Sequence, residues 1–281
     1  MPELAFKEKF IAFVDVLGFT SMVEASEKGT GRSLSEVREV LADLGQNKSL
    51  RFCPQSRYIE ENLDFQITQV SDCLIASAEV SPSGIINLVC HCWGVAISLL
   101  AKGVMVRGYI TRGNIYHVGN EFMGTGYQEA QNREKTVSAF KREADERGTP
   151  FVEVDQSVCE YVQSQTDTCV QSQFNNSVKR AGSVTALFPF RALAHGFIIA
   201  GQGIPDFDPE KEKRNNDEMR QLLRDLKRRV IEYVDESNRD AVRKASHYIA
   251  ALDAQIAQCD KTDRHIDALC SPFPGGSFNP K

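Results

Sequence analysis

The segment Ser83–Lys102, SGIINLVCHCWGVAISLLAK, reads as a helix capped by Ser83 and is apolar almost all the way round a helical wheel. Such a helix cannot leave a face in water and must be covered on every side. Lipid or protein could do this. The apolar stretch Ile85–Ala101 is interrupted by Asn87, His91 and Gly94, and it is short for a hydrocarbon layer of ~30 Å. It therefore reads as the core helix of a globular fold, with no membrane span. The first ten residues, MPELAFKEKF, lack the apolar run and small-residue cleavage site of a signal peptide, so a cytoplasmic protein is expected. At 281 residues, 42% hydrophobic and 25% charged, the chain can form one large domain or one domain with an extension. A net charge of −5 argues against a partner held by bulk positive charge, such as nucleic acid or a membrane surface.

Around that helix the pattern is mixed. Lys9–Val16 reads as a strand, Ser21–Glu27 as a helix, and Ser35–Asn47 as a second helix with Ser33 and Ser35 as candidate caps. Asp64–Val80 alternates and breaks at Ser71-Asp72, which predicts a hairpin. After the core helix, Gly103 is a stop. Val104–Ile110 reads as a strand, Thr111-Arg112-Gly113-Asn114 as a break, and Ile115–Val118 as a short strand. The loop Gly124-Thr125-Gly126 opens onto a helix over Tyr127–Glu146, and Pro150–Val154 is a further strand followed by a helix capped by Asp155 or Ser157. The polar stretch QSQTDTCVQSQFNNS predicts a surface hairpin or loop, with strands at Val184–Phe188 and Gly196–Ala200. Asp206–Arg214 reads as a charged linker to a helical hairpin, Asn216–Val234 and Asp240–Gln258, ahead of a loose tail. The expected fold is α+β and ferredoxin-like, with a main domain over 1–205 and a helical extension over 206–281.

Within the stretch FVDVLGFTSM, Asp15 closes an apolar strand. A carboxylate there is costly unless something pairs with it. A helix cap or a buried salt bridge would suffice, and so would a metal ion. Asp72 sits at the tip of the predicted hairpin. If the first strand lies antiparallel beside that hairpin, the two aspartates meet at one edge of the sheet. Two divalent ions between them suit an in-line displacement at phosphorus, and oxygen donors favour Mg or Mn. The turn Leu17-Gly18-Phe19-Thr20 into a helix would offer backbone N–H groups to phosphate oxygens. By contrast, Cys90-His91-Cys92 is not read as a zinc site. Neighbouring helical residues point ~100° apart, and no second Cys/His pair has matching spacing. These cysteines are read as core residues.

FVDVLGFTSM resembles the first-strand motif of the class III nucleotidyl cyclases, F-x-D-[IV]-x-G-F-[ST]. VSDCLIAS resembles their hairpin, and VRGYITRGNIYH the strand after it. Within that superfamily, RGYITRG, FMGTGYQEAQNREKTV and TPFVEVDQSV are similar to the pyrimidine cyclases of Pycsar antiphage defence. The pattern G-x-x-x-x-E-A-x-x-x-E is matched by Gly124, Glu129, Ala130 and Glu134. The resemblance spans about residues 9–155. It implies a palm-type cyclase domain in which Asp15, Asp72 and the Val16 carbonyl hold two ions, Mn or Mg. Leu17, Gly18, Phe19 and Thr20 would line the triphosphate. It also implies a head-to-tail homodimer with sites between subunits.

Purine cyclases carry Lys or Glu four residues before the hairpin aspartate to read the base, where this chain has Thr68. At the family's ribose-orienting Asn stands Gln128. At its transition-state Arg stands Asn132, with Arg133 one step along and Arg107 and Arg112 as other cations to hand. The implied activity is conversion of UTP to 3′,5′-cyclic UMP and pyrophosphate, with Asp15, Asp72 and Arg133 catalytic and Thr68, Glu121 and Gln128 toward the nucleoside. CTP as substrate, or a catalytically silent nucleotide-binding module, are the alternatives. Nothing like GG[DE]EF is present, which counts against a diguanylate cyclase.

Overall fold

The computed structural model describes residues 4–45, 63–189 and 208–270. Strand β1 (Lys7–Val16) is buried on both faces from Lys9 to Val14. It leads into α1 (Phe19–Glu27) and α2 (Leu34–Gly45), then the hairpin β2 (Phe65–Val70) and β3 (Cys73–Glu79), then α3 (Pro82–Leu100) and β4 (Val106–Val118). These strands lie in the order β2-β3-β1-β4, each antiparallel to its neighbours. That is the ferredoxin-like βαββαβ arrangement. The sheet continues with β6 (Val152–Val154), parallel to β4, and then the antiparallel β8 (Val184–Leu187) and β7 (Val178–Ala181). A short β5 (Glu121–Met123) folds back on the end of β4.

Alternate residues of a strand face opposite sides. Phe10, Ala12 and Val14 of β1, with Leu74, Ala76 and Ala78 of β3, join a core with α2, α3, α5 (Gln156–Gln163) and α6 (Thr168–Ser177). By length and composition α3 could cross a membrane, but 83% of it is buried inside the protein. On the other side, Ile11 and Phe13 pack under Ala130 and Tyr127 of α4 (Thr125–Glu134). Beside them, Tyr109, Phe151 and Phe188 form a core with α7 (Pro209–Tyr233) and α8 (Arg239–Cys270). The C-terminal hairpin is therefore present and completes the core of the sheet.

Local chemistry explains several element ends. Ser33 and Glu36 form a reciprocal capping box at α2, with the Ser33 N–H donating to the Glu36 carboxylate at 2.8 Å and the Glu36 N–H to Ser33 Oγ at 3.3 Å. At α3 the cap is Ser81 rather than Ser83. Pro82 takes the first helical position, where its missing N–H costs nothing, and Ser81 Oγ accepts from the Gly84 N–H at 3.0 Å. Asp155 caps α5.

Other expectations are corrected by tertiary contacts. Thr111–Asn114 is no break: each residue pairs with β1 and the strand runs through. Gly113 marks a contact, because a Cβ there would lie 2.9 Å from the Gly126 Cα at the start of α4. The helix expected to reach Glu146 stops at Glu134. Beyond it, Val137 and Ala139 are buried and the chain turns back, Thr149 Oγ1 donating to the Ala139 carbonyl at 2.8 Å. The stretch read as a polar hairpin holds α6, whose Val170, Gln173, Phe174 and Ser177 make one buried face. Pro209 begins α7 under the Asp208 cap rather than belonging to a linker, and α8 runs on to Cys270. Gly196–Ala200, the 205/206 boundary and the tail lie outside the described residues.

Candidate active site

The antiparallel register places Asp15 directly opposite Cys73, with Asp72 in the hairpin turn one residue before. The end of β1 holds that turn: the Val16 N–H donates to the Asp72 carbonyl at 3.2 Å. Ser71 adopts φ 53°, as a two-residue hairpin turn demands. As a result, ligand atoms of Asp15, Asp72 and Cys73 all lie within 4.8 Å of one another. The Cys73 thiol donates to Asp15 Oδ1 at 3.3 Å. On the opposite side β4 pairs Arg107 with Asp15, and Arg107 Nη2 lies 4.0 Å from Asp15 Oδ2. Arg107 Nε donates to the carboxylate of Glu134, which is buried at the end of α4.

This arrangement leaves the site short of positive charge. Burial pushes the Asp15 carboxyl above the usual aspartate range, and the Glu134 and Asp72 charges push it further. The Cys73 thiol and Arg107 offset only part of this. Among the described residues, one guanidinium is thus shared by Asp15 and Glu134, with the Asp72 charge close by. A divalent cation between Asp15 and Asp72 would make up the deficit, and their oxygens suit Mg or Mn. The donor set fits such an ion.

The turn after β1 divides its work. The Leu17 N–H donates to the Met105 carbonyl at 3.0 Å, and its side chain enters the core shared with α7 and α8. Leu17 therefore anchors the turn, and its amide is not available to a phosphate. Gly18 sits at φ 75° as the N-cap of α1, with no side-chain cap and no atom within 4 Å of a Cβ built on it. Among the described residues, the amides of Gly18, Phe19 and Thr20 have no protein partner. They form the open, positive end of a helix beside the two aspartates.

The residues expected toward the nucleoside are placed differently. Thr68 shares the Asp15 face of the sheet but is buried, and its hydroxyl donates to the Gly119 carbonyl at 2.7 Å. The His117 Nε2 at 2.9 Å must then donate to Thr68 Oγ1, leaving Nδ1 to accept from Ser77 Oγ at 2.9 Å. This chain of bonds locks the β4–β5 hairpin to β2 and engages the Thr68 hydroxyl within the subunit. Burial, then the Lys9 charge, push His117 down to about 4. Between pH 6.5 and 4 the unfolded chain binds the proton that the folded one refuses, so stability falls as pH drops through that window. Against His117→Gln, the wild type is expected to lose about 2 kcal/mol more between pH 7 and pH 5, measured by urea titration.

Gln128 lies on the exposed face of α4 and, among the described residues, makes no hydrogen bond to either aspartate. Glu121 is exposed on β5. Arg133 is also exposed. It bonds the Tyr109 hydroxyl at 3.3 Å and lies over that ring, and the same hydroxyl donates to Asp155 at 2.7 Å. Arg112 faces away, toward Glu8 and Tyr161. Among the described residues, Arg107 rather than Arg133 is the cation beside Asp15. Two site residues had no role from sequence. Cys73 could have been found from the strand register. Glu134 matched a motif, but nothing local marks it as the partner of Arg107.

No family model matches the chain, and no curated protein matches it. Among solved structures, a class III adenylyl cyclase-like ATP-binding protein from Pseudomonas aeruginosa is similar over 60% of this chain, at 11% identity and a TM-score of 0.36. The match spans 40% of that protein's length. At that distance the site is read from its own side chains.

Proposed function

We propose that the protein is a nucleotidyl cyclase of the class III type that converts UTP to 3′,5′-cyclic UMP and pyrophosphate. The observation that carries this reading is the convergence of Asp15 and Asp72 at the end of β1, beside the open amides of Gly18, Phe19 and Thr20. Asp15, Asp72 and the Val16 carbonyl would hold divalent ions, which when bound would acidify the ribose 3′-hydroxyl and neutralise the triphosphate. The helix end at Gly18–Thr20 receives phosphate oxygens, and Arg107 adds a fixed positive charge on the β4 side. A bond forms from the 3′-oxygen to the α-phosphorus as the bond from that phosphorus to the β-phosphate oxygen breaks. The hydroxyl proton goes to water and pyrophosphate leaves, with no covalent enzyme intermediate.

The motif resemblance supports a pyrimidine substrate, and the neutral Thr68 at the purine-reading position is consistent with that. The exposed Gln128 and Arg133 on α4 suit a head-to-tail homodimer in which each subunit completes the other's site. By the same resemblance, the product serves as a second messenger in cytoplasmic antiphage defence.

The protein, incubated with each of the four ribonucleoside triphosphates and Mn, is expected to yield cyclic UMP from UTP by mass spectrometry. A cyclic CMP product instead moves the substrate to CTP. Unchanged nucleotide with tight binding makes the protein a nucleotide-binding module and overturns the enzymatic reading.

A further inference from the structure

Arg107 is confined on three sides. Its Nε is bonded to Glu134, its Nη1 faces Gly148, where an added Cβ would lie 2.8 Å away, and its Nη2 points toward Asp15 at 4.0 Å. Two carboxylates therefore compete for one guanidinium. Glu134, with a side chain only 3% exposed, has no water to fall back on and keeps the bond. Asp15, with a side chain 24% exposed, is left at the limit of an ion pair. Were the balance reversed, Arg107 would close on Asp15 from the β4 side and neutralise the carboxylate that a divalent ion is to use.

We propose that Glu134 is a positioning residue that draws Arg107 off Asp15 and so keeps the divalent-cation site open. This rests on the reading of Asp15 and Asp72 as metal ligands. Arg107 is left close enough to meet an anionic substrate, yet is prevented from serving as the counter-ion of Asp15. The buried Glu134 charge, otherwise a cost at the end of a helix, is explained by that task.

Mn2+ binding to the nucleotide-free full-length protein tests this, read by electron paramagnetic resonance of the free ion. Glu134→Gln is expected to weaken Mn2+ binding about tenfold, because neutral Gln holds the guanidinium less strongly than a carboxylate. Glu134→Asp, which keeps the charge, is expected to stay within about threefold of wild type. Adding Arg107→Met to Glu134→Gln removes the competing cation and is expected to restore binding. Arg107→Met alone is expected to tighten Mn2+ binding, a result that stands even if Glu134→Gln does not fold. Equal Mn2+ affinity in wild type and a folded Glu134→Gln protein overturns the inference, as does Mn2+ binding that Arg107→Met leaves unchanged or weakens. A wild type that binds no Mn2+ overturns the metal-site reading, and this inference with it.

Discussion

Asp15→Asn and Asp72→Asn are each expected to lower cyclic nucleotide formation at least about 10³-fold, equivalent to ~4 kcal/mol of transition-state stabilisation. Each removes a charged oxygen donor from a pair whose ligand atoms lie within 4.8 Å, and among the described residues no other carboxylate joins that group. Glu134 is held by Arg107. Loss of activity by itself would also follow from misfolding, so stability supplies the control. Asp15 titrates above its ordinary range, chiefly through burial. For a carboxyl whose folded value is raised, stability declines as pH rises from the unfolded value through the folded one. At neutral pH the Asp15 charge thus works against the metal-free fold. Metal-free Asp15→Asn is expected to melt at or above the wild-type temperature. Adding Mn should raise the melting temperature of the wild type and leave the variant unchanged. Product formation within tenfold of wild type would remove Asp15 from the site.

Tyr248→Ala is expected to destabilise the whole protein by ~3–5 kcal/mol, with a fall in melting temperature of roughly 10 °C. Tyr248 is wholly buried on α8. Its ring stacks on Phe151 at 5.5 Å and an interplanar angle of 5°, and its hydroxyl is bonded to the Val106 backbone. It thereby fastens the C-terminal hairpin to β4 one residue before Arg107. A neighbouring clasp joins α8 to the segment between α4 and β6: His247 Nε2 lies 2.7 Å from the Glu146 carboxylate, which Arg243 also reaches at 3.2 Å. Tyr248→Phe keeps the stacking and loses only the hydroxyl bond, at a cost of about 1 kcal/mol. Unfolding should remain a single transition in both variants, because α7 and α8 share their core with Tyr109 of β4 and with Phe151, which leads into β6. A separate early transition in Tyr248→Ala would make the helical hairpin an independent unit.

The same residues show how far the reading of a sequence reaches. Asp15 and Asp72 could be brought together on paper because an apolar strand and a polar-tipped hairpin are local signals, and an antiparallel pairing joins their ends. The core helix was legible from its unbroken apolar surface, and the C-terminal hairpin from its regular apolar stripe. Local capping rules placed the starts of α2 and α5. At α3 the proline moved the cap from Ser83 to Ser81.

What the sequence determined alone, then, is whatever neighbouring residues settle among themselves: periodicity, caps, and a tight turn carrying a carboxylate. What only the tertiary structure decided depends on partners far along the chain. Pairing with β1 carried β4 straight through Thr111–Asn114. Burial of Val137 and Ala139 went with the end of α4 at Glu134. A histidine 49 residues away took the hydroxyl of Thr68. The grip of Glu134 on Arg107, which leaves Asp15 in need of a cation, spans 27 residues and has no local signature. The physical reason is that a hydrogen bond or ion pair goes to whichever buried group has no water as an alternative, and burial is a property of the whole fold.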